Sequence, residues 1–337
     1  MSKNYFYGHG KLLLTGEYLV LDGAKALALP TKLGQQMHVE LRPSSNPKLY
    51  WKSYDDQKKV WFDVVFELWH FDILSFDESL VDLEKVEILQ SILRQARKQN
   101  IHFLREQVDF HVSTKLEFPI EWGLGTSSTL IYNIAQWAYV SPFELLEKTF
   151  GGSGYDIACA QSMGPIVYQN LKRGPQWETA NFYPVFKDQI YFVYLNQKQN
   201  SRHEIQRYRD LSIDAKTNVI EKINKITEAC LDVVDIKDFE NLMLEHERIV
   251  AGCLDRRPVQ EELFGDFDGV VKSLGAWGGD FVIVVSSLPE EAIKKYFIQR
   301  GFDKILRYDD LILQTFPRYN DSEIKLKREL SHGLNAL

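Results

Sequence analysis

Cysteine is scarce in this chain, and the little there is forms no pattern. The 337 residues contain three, Cys159, Cys230 and Cys253. They are far apart, odd in number and without a CxxC pair, so neither a disulfide framework nor a zinc ribbon is expected, and a reducing cytoplasm suits them best. Apolar runs of about 18 residues, long enough to span a membrane, are absent. The opening MSKNYFYGHGK lacks the apolar stretch of a signal peptide, so none is expected. An excess of positive charge is missing too: 40 Lys and Arg against 47 Asp and Glu leave a formal net charge of -7. No basic field therefore invites nucleic acid or an anionic membrane surface. Such a protein can still bind phosphate, but only through a local arrangement of donors.

What the chain does have is the balance of a folded globular protein, with 45% hydrophobic and 26% charged residues. The length suggests two domains or one two-lobed unit. Short strands are expected over 12–14 and 18–21, joined by tight glycine turns, and over 37–41, 60–68 and 108–112, with a turn or loop at Pro43–Pro47. From 81 onward Leu83, Val86, Leu89, Ile92, Leu93 and Ala96 recur at helical spacing. Two long amphipathic helices are expected near 213–234 and 238–254, with buried strands at 190–195 and 281–285. A shift to polar composition after Gly174 and Pro175 places a boundary there, dividing the chain into 1–173 and 174–337. The mixture reads as α+β, because no regular strand–helix alternation supports a doubly wound sheet.

Three glycine loops stand out: GLGTSS at 123–128, GGSGYD at 151–156 and KSLGAWGGD at 272–280. Unpaired amides at a helix start, reached over glycines, hold anions without any net positive charge. Gly123, Leu124, Gly125, Thr126, Ser127 and Ser128 lead directly into an apolar helical stretch and suit that role, though a glycine-rich turn with a plain helix cap is the competing explanation. No GxxxxGK[ST] is present, no complete GxGxxG, and no protein-kinase HRD and DFG pair.

Taken in order, three segments resemble the GHMP kinases (galactokinase, homoserine kinase, mevalonate kinase, phosphomevalonate kinase). The segment 10–18, GKLLLTGEY, resembles their first motif. Pro119 to Ser128 resembles PxxxGLGSSA, and 272–280 resembles KxxGAGGGG. The resemblance implies a two-lobed fold, with an N-terminal lobe like the second domain of ribosomal protein S5 and a ferredoxin-like C-terminal lobe. It implies a cytoplasmic, ATP- and Mg2+-dependent kinase acting on a small molecule, as a monomer or homodimer. Gly16-Glu17-Tyr18, the GSGYD segment and the closing Asp280 are similar to phosphomevalonate kinases, so phosphomevalonate is the expected acceptor. Mevalonate kinase, another kinase of the fold and a catalytically silent nucleotide-binding regulator are the alternatives.

The same resemblance distributes roles. Asp156 becomes the base or the group orienting the acceptor oxygen, against a helix-capping aspartate. Lys11 neutralises developing charge, against an edge-strand lysine. Ser127 contacts Mg2+ and the phosphates. Gly275, Ala276, Gly278 and Gly279 flank the nucleotide. Glu17, Tyr18 and Ser153 line the acceptor pocket, with turn stabilisation as the other reading of Glu17. Lys198 and Arg202, with His203, would hold the acceptor's phosphate, or form an ordinary solvated loop. Glu121 and Trp277 stand where the family carries glycine, and neither Glu144 nor Glu147 has the spacing of the family's acidic metal ligand.

Overall fold

A computed structural model describes residues 4–197, 206, 208–275, 277 and 279–314. The chain divides into two discontinuous units. The first comprises Met1–Lys11, Leu33–Ile120 and Leu124–Gln161; the second Leu12–Lys32, Glu121–Gly123 and Ser162–Leu337.

Unit 1 is built on a sheet in the order β5(Ile73–Phe76), β4(Val60–Glu67), β3(Lys48–Tyr54), β6(Val108–Leu116), β2(Ala26–Pro43), with β1(Tyr5–Leu13) also paired to β2. β3 and β6 run parallel, while β6 opposes β2 from Gln35↔Leu116 to Pro43↔Val108. β6 alternates in burial, sending Phe110, Val112, Thr114 and Leu116 inward, as a sheet covered on one face requires. Against that face pack α1(Leu83–Gln99) and α2(Thr126–Ala138), followed by α3(Pro142–Glu147) and α4(Tyr155–Gln161). The predicted α1 stripe is buried except at its first position, Leu83, which is 47% exposed. Arg97 closes α1 as a buried cation, donating to the carbonyls of Leu68, Trp69, Phe103 and Leu104 and lying 4.0 Å from the Phe71 ring.

Unit 2 holds an antiparallel sheet in the order β10(Val270–Leu274), β11(Phe281–Val285), β9(Ile190–Tyr194), β12(Ile305–Arg307). Along the chain these strands alternate with helices: β9, then α5(Ile213–Asp232), α6(Ile236–Leu254) and α7(Val259–Leu263), then β10 and β11, then α8(Glu290–Ile298) and β12. A last short helix, α9(Tyr308–Leu311), follows. That succession and sheet order are ferredoxin-like, as the resemblance implied. The start of β2 also lies in unit 2, where Ala26–Ala28 pair with β7(Ile166–Leu171), which forms a hairpin with β8(Gly174–Thr179).

One expected strand is absent. Residues 18–21 form a 3-10 turn over Leu19–Asp22, because Gly16 at φ 90° and Tyr18 at φ 62° reverse the backbone just before it. Gly16 admits no side chain: a Cβ would fall 2.9 Å from the carbonyl of Lys25.

Candidate functional site

In unit 1 the first and second motifs meet. Alternation along β1 puts Lys11 on the half-buried side of the strand, and its backbone N–H donates to the Leu124 carbonyl at 3.0 Å. Gly125 follows at φ 93°. A side chain there would crowd the Lys11 stem, whose Cγ lies 3.3 Å from the position a Cβ would take. Glycine is thus required twice, for the turn and for passage of the lysine. Leu124 is wholly buried and contributes its backbone, while Thr126 is half-buried and Ser127 exposed. The Ser128 and Thr129 hydroxyls turn back onto the Gly125 carbonyl. No side chain caps α2, so the first-turn amides and the positive end of the helix dipole are left to a ligand or to water.

Lys11 reaches across to α4. Its Nζ lies 3.4 Å from Asp156 Oδ1, with the two side chains 14% and 27% exposed. It also sits 5.5 Å from the centre of the Tyr155 ring. Burial and the neighbouring aspartate push the Tyr155 phenol above its ordinary value, so it stays neutral. α4 begins at Tyr155, and the amides of Ile157 and Ala158 are accepted by the Gly154 carbonyl. Asp156 is therefore the second residue of the helix rather than its cap. Gly151, Gly152 and Gly154 all have positive φ, and Ser153 between them is 9% exposed.

In unit 2 a different cluster assembles around the third motif. Lys272, wholly buried on β10, lies 2.5 Å from Glu17 Oε1 and also donates to the Ser273 carbonyl at 2.8 Å. His246 on α6 accepts the Gly16 N–H at Nε2, 2.9 Å away, and the same nitrogen is 3.2 Å from Glu17 Oε2. Burial and the Lys272 charge hold His246 well below its ordinary pKa, so it is neutral, in keeping with Nε2 acting as an acceptor. The neighbouring Glu247 accepts the amides of Val259 and Ser273. Its carboxyl is pushed up to about 7 by burial, with Lys272 pulling the other way. Burial raises Glu17 as well, again opposed by Lys272. Two carboxylates thus share one cation, and a buried group without full compensation takes up a proton instead of holding charge.

Glu17 is 1% exposed, which places it inside the unit and not on an open wall. This is the turn-stabilising alternative, and the geometry corrects the acceptor-lining one for this residue. Tyr18 is also buried, and its hydroxyl accepts the backbone N–H of Trp277 at 3.1 Å. The first-motif turn and the third loop are thereby tied together. A second tie holds the turn to α5: the Thr15 and Thr227 hydroxyls lie 2.7 Å apart. Gly123, at φ 66°, faces Asp280, whose carboxylate fills the space a side chain would need. Gly275 is half-buried and Gly279 buried. Ala276, Gly278, Lys198, Arg202 and His203 lie outside the described residues.

Sequence reasoning assigned no role to Lys272 and overlooked His246 and Glu247. Their one signal was position: both fall on the apolar stripe of α6 with Met243, Val250 and Leu254, all buried. Among the described residues only Glu67, His70 and Asp72 cluster with metal-ligand spacing. They lie at the turn from β4 to β5, where Arg94 of α1 already engages Asp72. Glu144 is paired with Lys148. No helix among the described residues is long and apolar enough to cross a membrane.

No protein-family model matches the sequence, and no curated protein matches it either. Solved structures do. A mevalonate kinase is similar at a TM-score of 0.67 and 15% identity, over 93% of this chain and 100% of that one. Streptococcus pneumoniae phosphomevalonate kinase, in complex with phosphomevalonate and AMPPNP, is similar at 0.65 and 17%, over 90% and 99%. Lactococcus lactis galactokinase, complexed with galactose, is similar at 0.62 and 13%, over 92% and 95%. Three kinases with different acceptors share this architecture at almost full length, and this chain has the fold of the GHMP kinases.

Proposed function

We propose that the chain is an ATP-dependent small-molecule kinase whose acceptor is phosphomevalonate. The observation that carries this reading is the Lys11–Asp156 pair, 3.4 Å apart and partly open to solvent, beside a helix whose N-terminus no side chain caps. Phosphoryl transfer asks the protein mainly for positioning and for charge stabilisation. Bound ATP supplies the phosphoryl group, and the donors present suit it: the backbone amides of Thr126, Ser127 and Ser128 and the exposed Ser127 hydroxyl. Mg2+ prefers oxygen ligands, and Ser127 is the residue that would hold it. Asp156 accepts the proton from the acceptor's oxygen or fixes that oxygen's direction. Lys11 offsets the negative charge that grows on the transferring group. Glu17, Lys272 and Tyr18 act at one remove, by holding the first-motif turn against the third loop.

The choice of acceptor rests on the GEY turn, the GSGYD loop and Asp280. Mevalonate is the second reading, because mevalonate kinases are among the similar structures. The test is a coupled ADP-release assay with Mg·ATP against mevalonate, phosphomevalonate, homoserine and galactose. Turnover of phosphomevalonate alone is expected. Turnover of another acceptor keeps the kinase and replaces its substrate, whereas ATP binding without any turnover contradicts the reading and leaves a silent nucleotide-binding protein.

A further inference from the structure

Unit 2 contains a cavity that none of the roles above uses. It has a volume of about 220 Å³ and is lined by Gln197, Arg256, Arg257, Glu262, Ser273 and Trp277, among others. Its position follows from the local fold. α6 ends at Leu254 and the chain turns through Asp255 in the left-handed conformation, bringing Arg256 and Arg257 out together. Arg256 bends back to the third loop, donating to the Trp277 carbonyl at 3.3 Å. Arg257 is exposed, and no ion pair engages it among the described residues. Ser273, the residue after Lys272, and the buried Trp277 complete the loop side of the wall.

Cations after a helix C-terminus gain from its dipole, and that alone would explain one arginine. It does not explain a second one on the same wall, nor the state of Trp277. That residue is 2% exposed and its indole N–H has no acceptor among the described residues. A buried donor left without a partner is uncommon and asks for a ligand, a water or a rearrangement. Glu262 offsets one of the two guanidinium charges, leaving the cavity lining at +1 within a unit of an acidic chain. Planar guanidinium groups matched with a hydroxyl and an N–H donor favour tetrahedral oxyanions over neutral polar molecules.

We propose that this cavity is an anion subsite that takes the phosphate of a small-molecule ligand, with Arg257 as its principal charge and Arg256 linking it to the third glycine loop. The ligand class rests on the kinase reading, and two sources share the chemistry, the nucleotide or a phosphorylated acceptor.

Trp277 is a built-in reporter. In the full chain, intrinsic fluorescence would be titrated with inorganic phosphate, ADP and phosphomevalonate, and the Trp277→Phe difference would isolate this side chain. A saturable Trp277 response is expected to at least one phosphorylated ligand, weakened about tenfold or more in Arg257→Ala, the loss of one charge-assisted contact. Arg257→Glu should weaken it further. Arg257 is exposed, so both variants should melt with the wild type. A response to ADP alone assigns the subsite to the nucleotide; one to phosphomevalonate alone assigns it to the acceptor. No Trp277 response to any probe, or equal affinity in Arg257→Ala, overturns the proposal. ADP release measured on the same samples separates the two ideas. Turnover without an Arg257-dependent response removes the subsite and leaves the kinase, whereas Arg257-dependent binding without turnover of any acceptor does the reverse.

Discussion

Two lysine–carboxylate pairs, one in each unit, use the same chemical groups to opposite ends. In unit 1, Lys11 and Asp156 stand 3.4 Å apart with 14% and 27% of their side chains exposed. In unit 2, Lys272 and Glu17 are 2.5 Å apart and 1% exposed each. The first pair keeps access to solvent, sits beside a helix N-terminus that no side chain caps and can meet a ligand. The second is sealed, and its partners are a neutral histidine, a second carboxylate and backbone amides. An ion pair that has lost its water is strongly committed to its partner, because removing either member strands a buried charge. A half-open pair contributes little to stability and is free to act. Burial, more than residue type, separates the open pair, which is the proposed reacting one, from the sealed one.

That contrast is open to attack by substitution. Lys272→Met leaves Glu17 and Glu247 facing each other without a cation, and should destabilise the protein by about 3–5 kcal/mol in thermal or urea unfolding. Adding Glu17→Gln should recover much of that loss. If Lys272→Met melts with the wild type, the sealed pair has no structural weight.

Glu247 yields the next largest effect, and one that depends on pH. Its folded pKa, about 7, lies above the ordinary value of 4.5, so the folded state holds a proton that the unfolded state releases first. The stabilisation is complete below pH 4.5 and is lost as pH rises through 7. His246 has the opposite sense. Its pKa is lowered on folding, so its contribution is lost as pH falls below about 6.5. The comparison of Glu247→Gln with wild type separates the two. The variant should gain on wild type by on the order of 3 kcal/mol between pH 4.5 and pH 8. Parallel stability curves would show that Glu247 does not titrate in that window.

Gly125→Ala should cost about 1–2 kcal/mol through the positive φ and should also displace Lys11, lowering turnover more than stability. Lys11→Met should change stability by less than about 1 kcal/mol while reducing turnover by about 100-fold or more. Equal losses of stability in Lys11→Met and Lys272→Met would erase the distinction between the pairs.

Much of unit 1 was legible beforehand. Loop 123–128 followed by an apolar helix is a local signal, and so is the spacing of Val86, Leu89, Ile92, Leu93 and Ala96. Local patterns report on local structure, and both segments formed as expected. The sealed cluster was not legible, because Glu17, His246, Glu247 and Lys272 come from three segments of the chain more than 200 residues apart at the extremes. A glutamate in a glycine turn looks the same whether it faces a ligand or a buried lysine. Residues 18–21 have the pattern of a strand for a related reason: they are apolar and β-prone, and only the positive φ of Gly16 and Tyr18 decides for the 3-10 turn over Leu19–Asp22. Trp277 stood out as a departure from the glycine motif, but its contact with Tyr18 joins residues 259 positions apart and no local pattern announces it.

The central claim is that the half-open pair of unit 1 is the reacting centre. The most direct measurement is the initial rate of ADP release with saturating Mg·ATP and phosphomevalonate for Asp156→Asn against wild type. The substitution keeps the size of the side chain and removes its charge. A fall of about 10²- to 10⁴-fold with an unchanged melting temperature is the predicted result. A variant that turns over at the wild-type rate would contradict the account and move the chemistry away from the Lys11–Asp156 pair.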